Sequence, residues 1–566
     1  MKSFIFSSLV LSAAVCASAQ APDVIYVHGD VLTGAHLRAN DDSETPARVT
    51  ALAVRNGSIV AVGSDADLLK RKGTSTKVVD LNGAFVMPAF NDAHTHIAGA
   101  GRQKLAIDLN HIPSLAAMQD KIKAAAANAK PGAWLEGGGW DHTLWADKTL
   151  PTKEAMDVVT DDHPAFFMRT DGHIGVLNSA ALRAAGITTA TKDPEGGKID
   201  RDAKGEPTGI VREGPALALV RKVIPQPDRE ERIAALTVAM KDALQHGVTS
   251  VQDFSDWEDF QALEVMERTG KLHLRVSEWL AFDTPLETLK KERDEHSAKD
   301  RILRTTQLKG YMDGSLGSRT AALNAPYADD PGNSGIPRFE QKKLNAMAVE
   351  RAKAGFQLGF HAIGDRANDM ALAAFKEAED AVEEQIRLKL IPTPRNRVEH
   401  AQVVSPGDFE LFAKLHVIAS MQPSHLLTDM NWAEARLGPE RVKYSYAWKS
   451  FLDHGVVLAF GTDYPVESIN PFRGLYAAVT RQNESSTLTY QPREKISLNE
   501  AIYAYTQASA YGEYAEKYKG RLEPEYLADF VVLDRDITKA TPKDLLHTEV
   551  LRTVLGGDTV YRAPGH

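Results

Sequence analysis

The sequence predicts an α/β protein: a (β/α)8 TIM-like barrel with a small β-sandwich domain and an insertion attached to it. Short apolar runs alternate with helical segments through the middle of the chain, which is typical of a parallel sheet. Polar residues such as His361 and Asp463 follow these runs, at the strand ends where barrels carry active sites. A doubly wound sheet is the alternative, but the glycine run at Gly137 lacks the spacing of a dinucleotide-binding loop.

The β-sandwich is expected to form from both ends of the chain. Residues 20–86 contain β-branched runs separated by turn residues, and the pair Asn56-Gly57 is a strong hairpin signal. Residues 520–566 repeat the pattern in ADFVVLDRD and LRTVLGGDTVYRA. We therefore expect these two segments to flank a barrel that occupies residues 87–519.

The length of the barrel segment indicates an insertion. The chain between His96 and Asp463 is much longer than the roughly 250 residues of a whole barrel. The segment KDPEGGKIDRDAKGEPTGIVREGP is rich in glycine, proline and charge, and it interrupts the alternation of strands and helices. We expect the insertion at about residues 125–230.

Composition excludes several classes of protein. Hydrophobic residues make up 43% and charged residues 25% of the 566 residues, which is the usual balance of a soluble globular protein. Lysine and arginine number 66 against 76 acidic residues, so a nucleic-acid partner is not expected. The single cysteine, Cys16, excludes a disulfide scaffold, a cysteine-rich zinc module and an iron–sulfur cluster.

The first 19 residues are typical of a secretory signal peptide. Lys2 precedes an apolar run, and Ala17-Ser18-Ala19 provides a cleavage site. The run is shorter than the roughly 20 residues that cross a bilayer, so stable membrane insertion is not expected. We expect export across the inner membrane to the periplasm. A lipoprotein anchored at Cys16 is the alternative, although Val15 is bulky for the position before a lipidated cysteine. The sequence leaves open whether the protein forms a homodimer.

A set of histidines and other ligand-type residues indicates a metal centre. In NDAHTHI, His94 and His96 point to the same side of an extended strand and can share one ion. A single pair of this kind is weak evidence. Four further residues end apolar runs of strand character and strengthen it: Lys309, His361, His400 and Asp463.

The chain resembles the amidohydrolase superfamily and, within it, the YtcJ-like group (amidohydrolase family 3). The matching segments include MPAFNDAHTHI, RTDGHIGVLNSAAL, DGSLGSRTA, FHAIGDRAND, RVEHAQ, MQPSH and AFGTDYPVE. They are distributed over nearly the whole chain that follows the signal peptide. The resemblance implies a metal-dependent amidohydrolase that acts on carbon–nitrogen bonds other than peptide bonds.

The resemblance also implies roles for the six candidate ligands and names zinc as the cofactor, as one or two divalent ions. One ion would lie on His94, His96 and Asp463, and a second on His361 and His400, with a carboxylated Lys309 as the bridge. The sequence leaves the number of ions and the carboxylation of Lys309 open.

The expected reaction is hydrolysis of a linear amide or related C–N bond, of the N-acyl or N-formyl amine type, by metal-activated hydroxide. Asp463 is expected to act also as the general acid–base that protonates the leaving nitrogen. A lactone or ester hydrolase and a deaminase are alternatives on the same scaffold. A non-catalytic, metal-containing ligand-binding protein is a further alternative from another class.

Five further residues, none of them among the six candidate metal ligands, are expected to contact a small-molecule substrate. They lie in the aromatic, histidine-rich or glycine-rich segments that the resemblance covers. The candidates are Trp140, His173, Asn178, Arg319 and His425.

Overall fold

The computed structural model describes residues 21–37, 47–170 and 172–566 of the chain. The predicted signal peptide, including Cys16, lies outside the described residues. The described strands are β1 (Val24–Val27), β2 (Asp30–Leu32), β3 (Arg48–Val49), β4 (Ala51–Arg55), β5 (Ser58–Gly63), β6 (Lys77–Asp80), β7 (Phe85–Pro88), β8 (Phe90–Thr95), β9 (Ile107–Asp108), β10 (Leu135–Trp140), β11 (Ala165–Arg169), β12 (Ile174–Leu177), β13 (Lys198–Arg201), β14 (Pro207–Arg212), β15 (Val248–Asp253), β16 (Arg275–Ala281), β17 (Leu303–Tyr311), β18 (Gln357–Ala362), β19 (Arg397–His400), β20 (Ile418–Met421), β21 (Leu458–Phe460), β22 (Phe530–Leu533), β23 (Val550–Leu555) and β24 (Asp558–Arg562).

The described α-helices are α1 (Asp65–Leu69), α2 (Ile97–Leu105), α3 (Leu115–Ala126), α4 (Lys153–Thr160), α5 (Ser179–Ala184), α6 (Glu213–Arg221), α7 (Arg229–Gln245), α8 (Trp257–Arg268), α9 (Leu286–Glu295), α10 (Gln341–Lys353), α11 (Asp365–Arg387), α12 (Asp408–Lys414), α13 (Pro423–Asp429), α14 (Ala433–Arg441), α15 (Trp448–Asp453), α16 (Pro471–Thr480), α17 (Leu498–Tyr503), α18 (Ser509–Gly512) and α19 (Pro542–Leu545). None of the helices in the described ranges combines the length and the apolar character that a bilayer crossing requires.

Eight strands form a parallel sheet in the order β8-β15-β16-β17-β18-β19-β20-β21. Strands such as β20 and β21 are buried along their whole length, because a barrel strand is covered on both sides. Such strands therefore appear in the sequence as apolar runs. The first and last strands meet where the backbone N–H of Asp463 donates to the carbonyl of His94 at 2.8 Å. This nearly closed ring confirms the predicted TIM-like barrel.

The chain ends form two further sheets, of which the first below uses only amino-terminal strands and the second combines strands from both ends. One has the order β5-β4-β1-β6, and the other has the order β24-β23-β22-β7-β2-β3. The two sheets share a buried cluster in which the ring of Tyr26 meets the ring of Phe530 edge-on at 5.0 Å. Asn56 and Gly57 both have positive φ, as the tight turn between β4 and β5 requires. An ion pair between Arg275 and Asp529 at 2.6 Å joins these sheets to the barrel.

An additional sheet lies in the chain between α2 and α7, with the order β13-β14-β12-β11-β10-β9. It has its own buried clusters, one of which contains Trp140 and Trp145. Its strands run from Ile107 to Arg212, so the sheet begins before the segment 125–230 that composition indicates for the insertion. Strand β9 has only two residues and β10 is rich in glycine, so both carry little strand signal in the sequence.

We expect the contact between α2 and α7 to be sensitive to one methyl group. A Cβ atom on Gly101 would lie 1.9 Å from the carbonyl oxygen of Ala235, so α2 carries glycine there to allow the close approach. Replacing Gly101 with alanine should lower the free energy of unfolding by about 1–3 kcal/mol, through overpacking. Thermal and denaturant unfolding measure the change.

Gly99 in the same helix provides the matched control. A Cβ atom there meets its nearest neighbour, the Cβ of His96, only at 4.0 Å. Gly99→Ala should leave stability unchanged or raise it by up to about 1 kcal/mol, because alanine favours the helix. A Gly101→Ala protein as stable as the wild type would contradict the assignment of this close contact.

Candidate metal centre

The six candidate ligands lie together at the carboxyl ends of five barrel strands. β8 leads to His94 and His96, and β17, β18 and β19 carry Lys309, His361 and His400. Asp463 follows β21. All six residues line one cavity of about 370 Å³, together with His425. The position matches the end of the barrel where such folds carry their active sites.

One group of ligand atoms surrounds Oδ1 of Asp463. The Nε2 atoms of His94 and His96 lie 3.5 and 3.2 Å from this oxygen. The ligand atoms of the three residues all lie within 4.8 Å of one another. Two imidazole nitrogens and one carboxylate oxygen form a donor set that suits a divalent transition metal and leaves coordination positions open. These residues therefore fit the ion that the sequence predicts.

A second group lies on the other oxygen of the same carboxylate. The Nε2 atom of His425 is 3.6 Å from Oδ2 of Asp463, and its ring stacks on that of His400 with centroids 5.9 Å apart. The ligand atoms of His400, His425 and Asp463 also lie within 4.8 Å of one another. Asp463 thus presents one oxygen to each group, and His425, which was expected to contact substrate, lies among ligand-type atoms.

His361 lies beside this second group but its Nε2 atom points elsewhere. Its ring centroid is 4.5 Å from that of His400, while Nε2 donates a hydrogen bond to the carbonyl of Gly314 at 3.0 Å. Gly314 belongs to the loop that follows β17. The structure therefore places His361 beside the candidate centre, while the ligand-type atom that lies near those of His400 and Asp463 belongs to His425.

Lys309 is buried against the first group. Its Nζ atom lies 2.8 Å from Nε2 of His94, and the rings of Trp279 and Tyr311 are each 5.2 Å away. Burial lowers the pKa of Lys309 to about 8, although Glu399 and Asp463 oppose the shift. The side chain can therefore lose its charge more easily than an exposed lysine.

Burial and neighbouring charges shift the pKa values of the candidate ligands. Burial, followed by the charge of Lys309, lowers the pKa of His94 to about 3, and burial lowers that of His400 well below its usual value. Burial opposes ionisation of Asp463, but the neighbouring histidines outweigh it and lower its pKa well below the usual range. His94 and His400 are thus neutral and the carboxylate is anionic near pH 7, as metal binding requires. For His96, burial lowers the pKa, but the hydrogen bond and charge of Asp463 outweigh burial and raise it.

Hydrogen bonds to Nδ1 hold three of the rings so that Nε2 faces the cavity. Nδ1 of His96 donates to the carbonyl of Phe254 at 2.7 Å, and Nδ1 of His400 donates to Oε1 of Gln422 at 2.8 Å. Nδ1 of His94 contacts Oε2 of Glu399 at 2.7 Å. Such outer contacts orient metal-binding histidines in proteins.

The sequence reasoning missed Glu399, although a signal was present. It stands directly before His400 in RVEH, inside an apolar strand where a carboxylate is costly without a partner. Nε of Arg397 provides that partner at 2.5 Å from Oε1. Burial would raise the pKa of Glu399, but Arg397 and then His94 lower it to about 2.

Two of the residues expected to contact substrate lie in the core of the additional sheet instead. Trp140 is fully buried and its indole N–H donates to the carbonyl of Phe167 at 2.9 Å. Asn178 is buried at the start of α5, where its side-chain oxygen accepts from the backbone N–H of Ala181 at 2.8 Å. Their packing and capping roles correct the expectation for both residues.

His173 and Arg319 are held by acidic partners away from the ligand atoms. Nδ1 of His173 lies 3.0 Å from Glu213, in the additional sheet. Arg319 pairs with Asp329 at 2.9 Å in the loop after β17. Residues Ser315–Gly317 of that loop line the metal cavity, so Arg319 holds the loop rather than lining the cavity itself.

A larger cavity of about 1260 Å³ adjoins the metal cavity between the barrel and the additional sheet. The two cavities share Val466 and Glu467 in their linings. Gly137–Gly139 lines the larger one. A Cβ atom on Gly137 would lie 2.2 Å from the carbonyl oxygen of Ile107, and one on Gly139 would lie 2.4 Å from Oδ1 of Asn110, so glycine is needed for this close packing. The lining described for the larger cavity contains none of the six candidate ligands, so the chemistry belongs to the smaller one.

Comparisons with known proteins agree with this site. The profile of the Amidohydrolase family matches residues 77–561. The putative amidohydrolase YtcJ of Bacillus subtilis is 32% identical over 91% of this chain and 96% of its own length. Protein LONG AFTER FAR-RED 3 of Arabidopsis thaliana is 34% identical over 95% of this chain and 91% of its own length. The N-substituted formamide deformylase of Arthrobacter pascens is 26% identical over 94% and 98% of the two chains.

Solved structures show the same relationship. An uncharacterized metal-dependent hydrolase from Pyrococcus horikoshii has a TM-score of 0.75 and 29% identity, covering 92% of this chain and 99% of its own. A similar hydrolase from Pyrococcus furiosus has a TM-score of 0.75 and 30% identity, covering 91% and 100%. The chain therefore belongs to the amidohydrolase family, in the YtcJ-like group that its motifs indicate.

Proposed function

We propose that this protein hydrolyses the C–N bond of N-formyl or other N-acyl amines with the help of divalent zinc. The observation that carries the proposal is that the two carboxylate oxygens of Asp463 face two different groups of imidazole nitrogens inside one cavity. The similarity to an N-substituted formamide deformylase supports the choice of an amide bond. The metal-dependent barrel hydrolases among the solved structures support hydrolysis as the reaction class.

The chain's own residues hold the ions and set the charge around them. His94, His96 and Asp463 would hold one ion, and His400 with His425 or His361 would hold the other. A divalent ion there lowers the pKa of water toward neutrality and stabilises negative charge on a carbonyl oxygen. We include carboxylation of Lys309 in the proposal, because an amine with a lowered pKa loses its proton readily and then reacts with carbon dioxide.

Asp463 carries the proton in the proposed reaction. Its carboxylate is anionic, lies at the cavity wall and keeps Oδ2 on the side of His425. It accepts the proton of the attacking water as the new C–O bond forms, and it returns the proton to the leaving nitrogen as the C–N bond breaks. The products are a carboxylic acid and an amine.

The size of the cavity favours a small substrate. Its volume of about 370 Å³ lies at the lower end of ligand sites and includes the space around the ligand atoms. Tyr311, Leu316 and Trp432 provide apolar lining beside the polar groups. We propose that the protein acts on its substrate after export, on the strength of the signal-type segment at residues 1–19.

Glu399 is assigned to positioning rather than to the reaction itself. Its bond to Nδ1 of His94 leaves the Nε2 lone pair for the ion, and its negative charge makes the ring a stronger donor. Arg397 holds Glu399 in place and also donates to the carbonyl of Ala93 and to Oγ of Ser420, both at 2.7 Å.

Replacing Asp463 with asparagine should abolish most activity while the protein stays folded. Asparagine cannot accept the proton, and loss of a general acid–base costs about 10²–10⁴-fold in rate. The measurement is kcat/KM on an N-formyl amine, with metal content determined on the same sample. Asp380→Asn, which changes an exposed carboxylate on α11, serves as the control and should keep wild-type activity. Near-normal turnover by Asp463→Asn would show that Asp463 is not the general acid–base.

Metal removal should stop the reaction reversibly. Dialysis against a chelator is expected to abolish hydrolysis and lower Tm, because ligand binding stabilises only the folded state. Added zinc should restore both. The substrate panel comprises N-formyl amines, N-acyl amino acids and lactones. Turnover of lactones alone would favour an ester hydrolase, and binding without turnover across the panel would favour a ligand-binding protein.

Replacing Glu399 with glutamine should weaken zinc binding by about 10–100-fold, the usual cost of losing an outer partner of a metal ligand. Zinc competition with a calibrated chelator measures the affinity. Glu513→Gln is a matched control, since Glu513 is buried and paired with Arg304 on the amino-terminal half of β17. Both variants should lose stability, but only Glu399→Gln should lose zinc affinity. Equal affinities in the two variants would show that Glu399 has only a structural role.

A further inference from the structure

The metal cavity contains two carboxylates that the ligand groups do not use. They belong to Asp429, the last residue of α13, and to Glu467, in the loop that follows Asp463. Glu467 is buried and Asp429 is partly buried, so a partner for each charge lowers the cost of its position. The two differ in whether the protein supplies that partner.

Glu467 is neutralised by the protein. Its Oε2 atom pairs with Arg473 at 2.9 Å, and its Oε1 atom accepts a hydrogen bond from Thr428 at 3.0 Å. This carboxylate is therefore satisfied on both oxygens by side chains at the cavity wall. No charge is left over for a ligand.

Asp429 has hydrogen bonds but no cation. Its Oδ2 atom accepts from the hydroxyl of Tyr446 at 2.5 Å and from the amide of Gln402 at 3.0 Å. Within the described part of the chain, no lysine or arginine lies within ion-pair distance of it. Burial raises the pKa of Asp429, although His425, one turn earlier on α13, opposes the shift.

The second carboxylate oxygen of Asp429, Oδ1, has fewer hydrogen-bond donors than Oδ2. Oδ1 meets only the hydroxyl of Thr428, at 3.4 Å. That hydroxyl has one proton and two nearer acceptors, the carbonyl of His425 at 2.9 Å and Glu467 at 3.0 Å. The described protein therefore holds Oδ1 only weakly. Because Asp429 lines the cavity, this oxygen is available there to a donor that a ligand supplies.

We propose that Asp429 binds a positively charged nitrogen of the substrate, remote from the bond that is cleaved. The preferred substrates are thus N-acylated amines that carry a second, charged amino group, and N-acyl amino acids are disfavoured because their carboxylate would face Asp429. The inference rests on the proposed hydrolysis of N-acyl amines. Tyr311 and Trp432 line the cavity and give apolar surface for the carbon chain between the two nitrogens.

Two substrates of equal length test the proposal. N-formyl-1,4-diaminobutane and N-formylpentylamine differ only in an ammonium group against a methyl group at the far end. Because a charge-assisted hydrogen bond is at stake, the zinc-loaded wild type should prefer the charged compound by about tenfold to a hundredfold in kcat/KM. In Asp429→Asn, which keeps the shape of the side chain, the preference should fall to about threefold or less.

Glu434→Gln is the control variant, because it removes an exposed carboxylate five residues along the chain that does not line the cavity. It should keep the wild-type preference. An unchanged preference in Asp429→Asn, or no preference in the wild type, would overturn the proposal. Tyr446→Phe removes a donor to the same carboxylate and should keep the sign of the preference.

A binding measurement separates this inference from the proposed function. Calorimetry compares pentylamine, which is positively charged near pH 7, with 1-pentanol, which is uncharged, on the zinc-loaded wild type and on Asp429→Asn. If neither formamide is hydrolysed but the amine binds more tightly than the alcohol and only in the presence of Asp429, the proposed function fails and the charged subsite stands. If the formamides are hydrolysed and the amine and the alcohol bind equally, the subsite fails and the proposed function stands.

Discussion

The buried chain from Arg397 through Glu399 to His94 is the interaction on which the metal centre depends. Arg397 is fully buried and bonds to groups on four barrel strands, including Gln252 on β15, Ala93 on β8 and Ser420 on β20. Isolated charges at this depth would be strongly unfavourable, and they are tolerated because every nitrogen of the guanidinium and both oxygens of Glu399 have a partner. The same contacts that hold the strands in register therefore also fix the ring of His94, the first candidate ligand.

Two carboxylates near the metal cavity differ in the charges that surround them. Glu399 is fully buried and stays ionised because a guanidinium and an imidazole surround it, so its contacts hold protein groups. Asp429 is partly buried at the cavity wall and pairs with no lysine or arginine of the described residues, and burial raises its pKa. The positions of the positive charges thus distinguish a carboxylate that serves the structure from one that we propose binds a ligand.

The ligands that follow apolar strands could be predicted from the sequence, because strand alternation and strand-end position are local properties. His94, His96 and Asp463 belong to this class. Glu399 could not be assigned a partner, since His94 lies 305 residues away and meets it only when the barrel closes. The expectation for Trp140 and Asn178 was wrong because their burial in the additional sheet depends on contacts between segments that are distant in the sequence. Local patterns thus predicted the barrel and the candidate ligands at its strand ends, and tertiary contacts decided the rest.

The contact between the first and last barrel strands also determines when the site can exist. His94 and Asp463 come from opposite ends of the barrel segment, and the backbone bond between them forms only in the closed ring. A growing chain that has not yet reached β21 therefore lacks the carboxylate shared by both ligand groups. The choice between competing metal ions is accordingly made by the completed, folded protein, from whatever ions its surroundings offer at that moment.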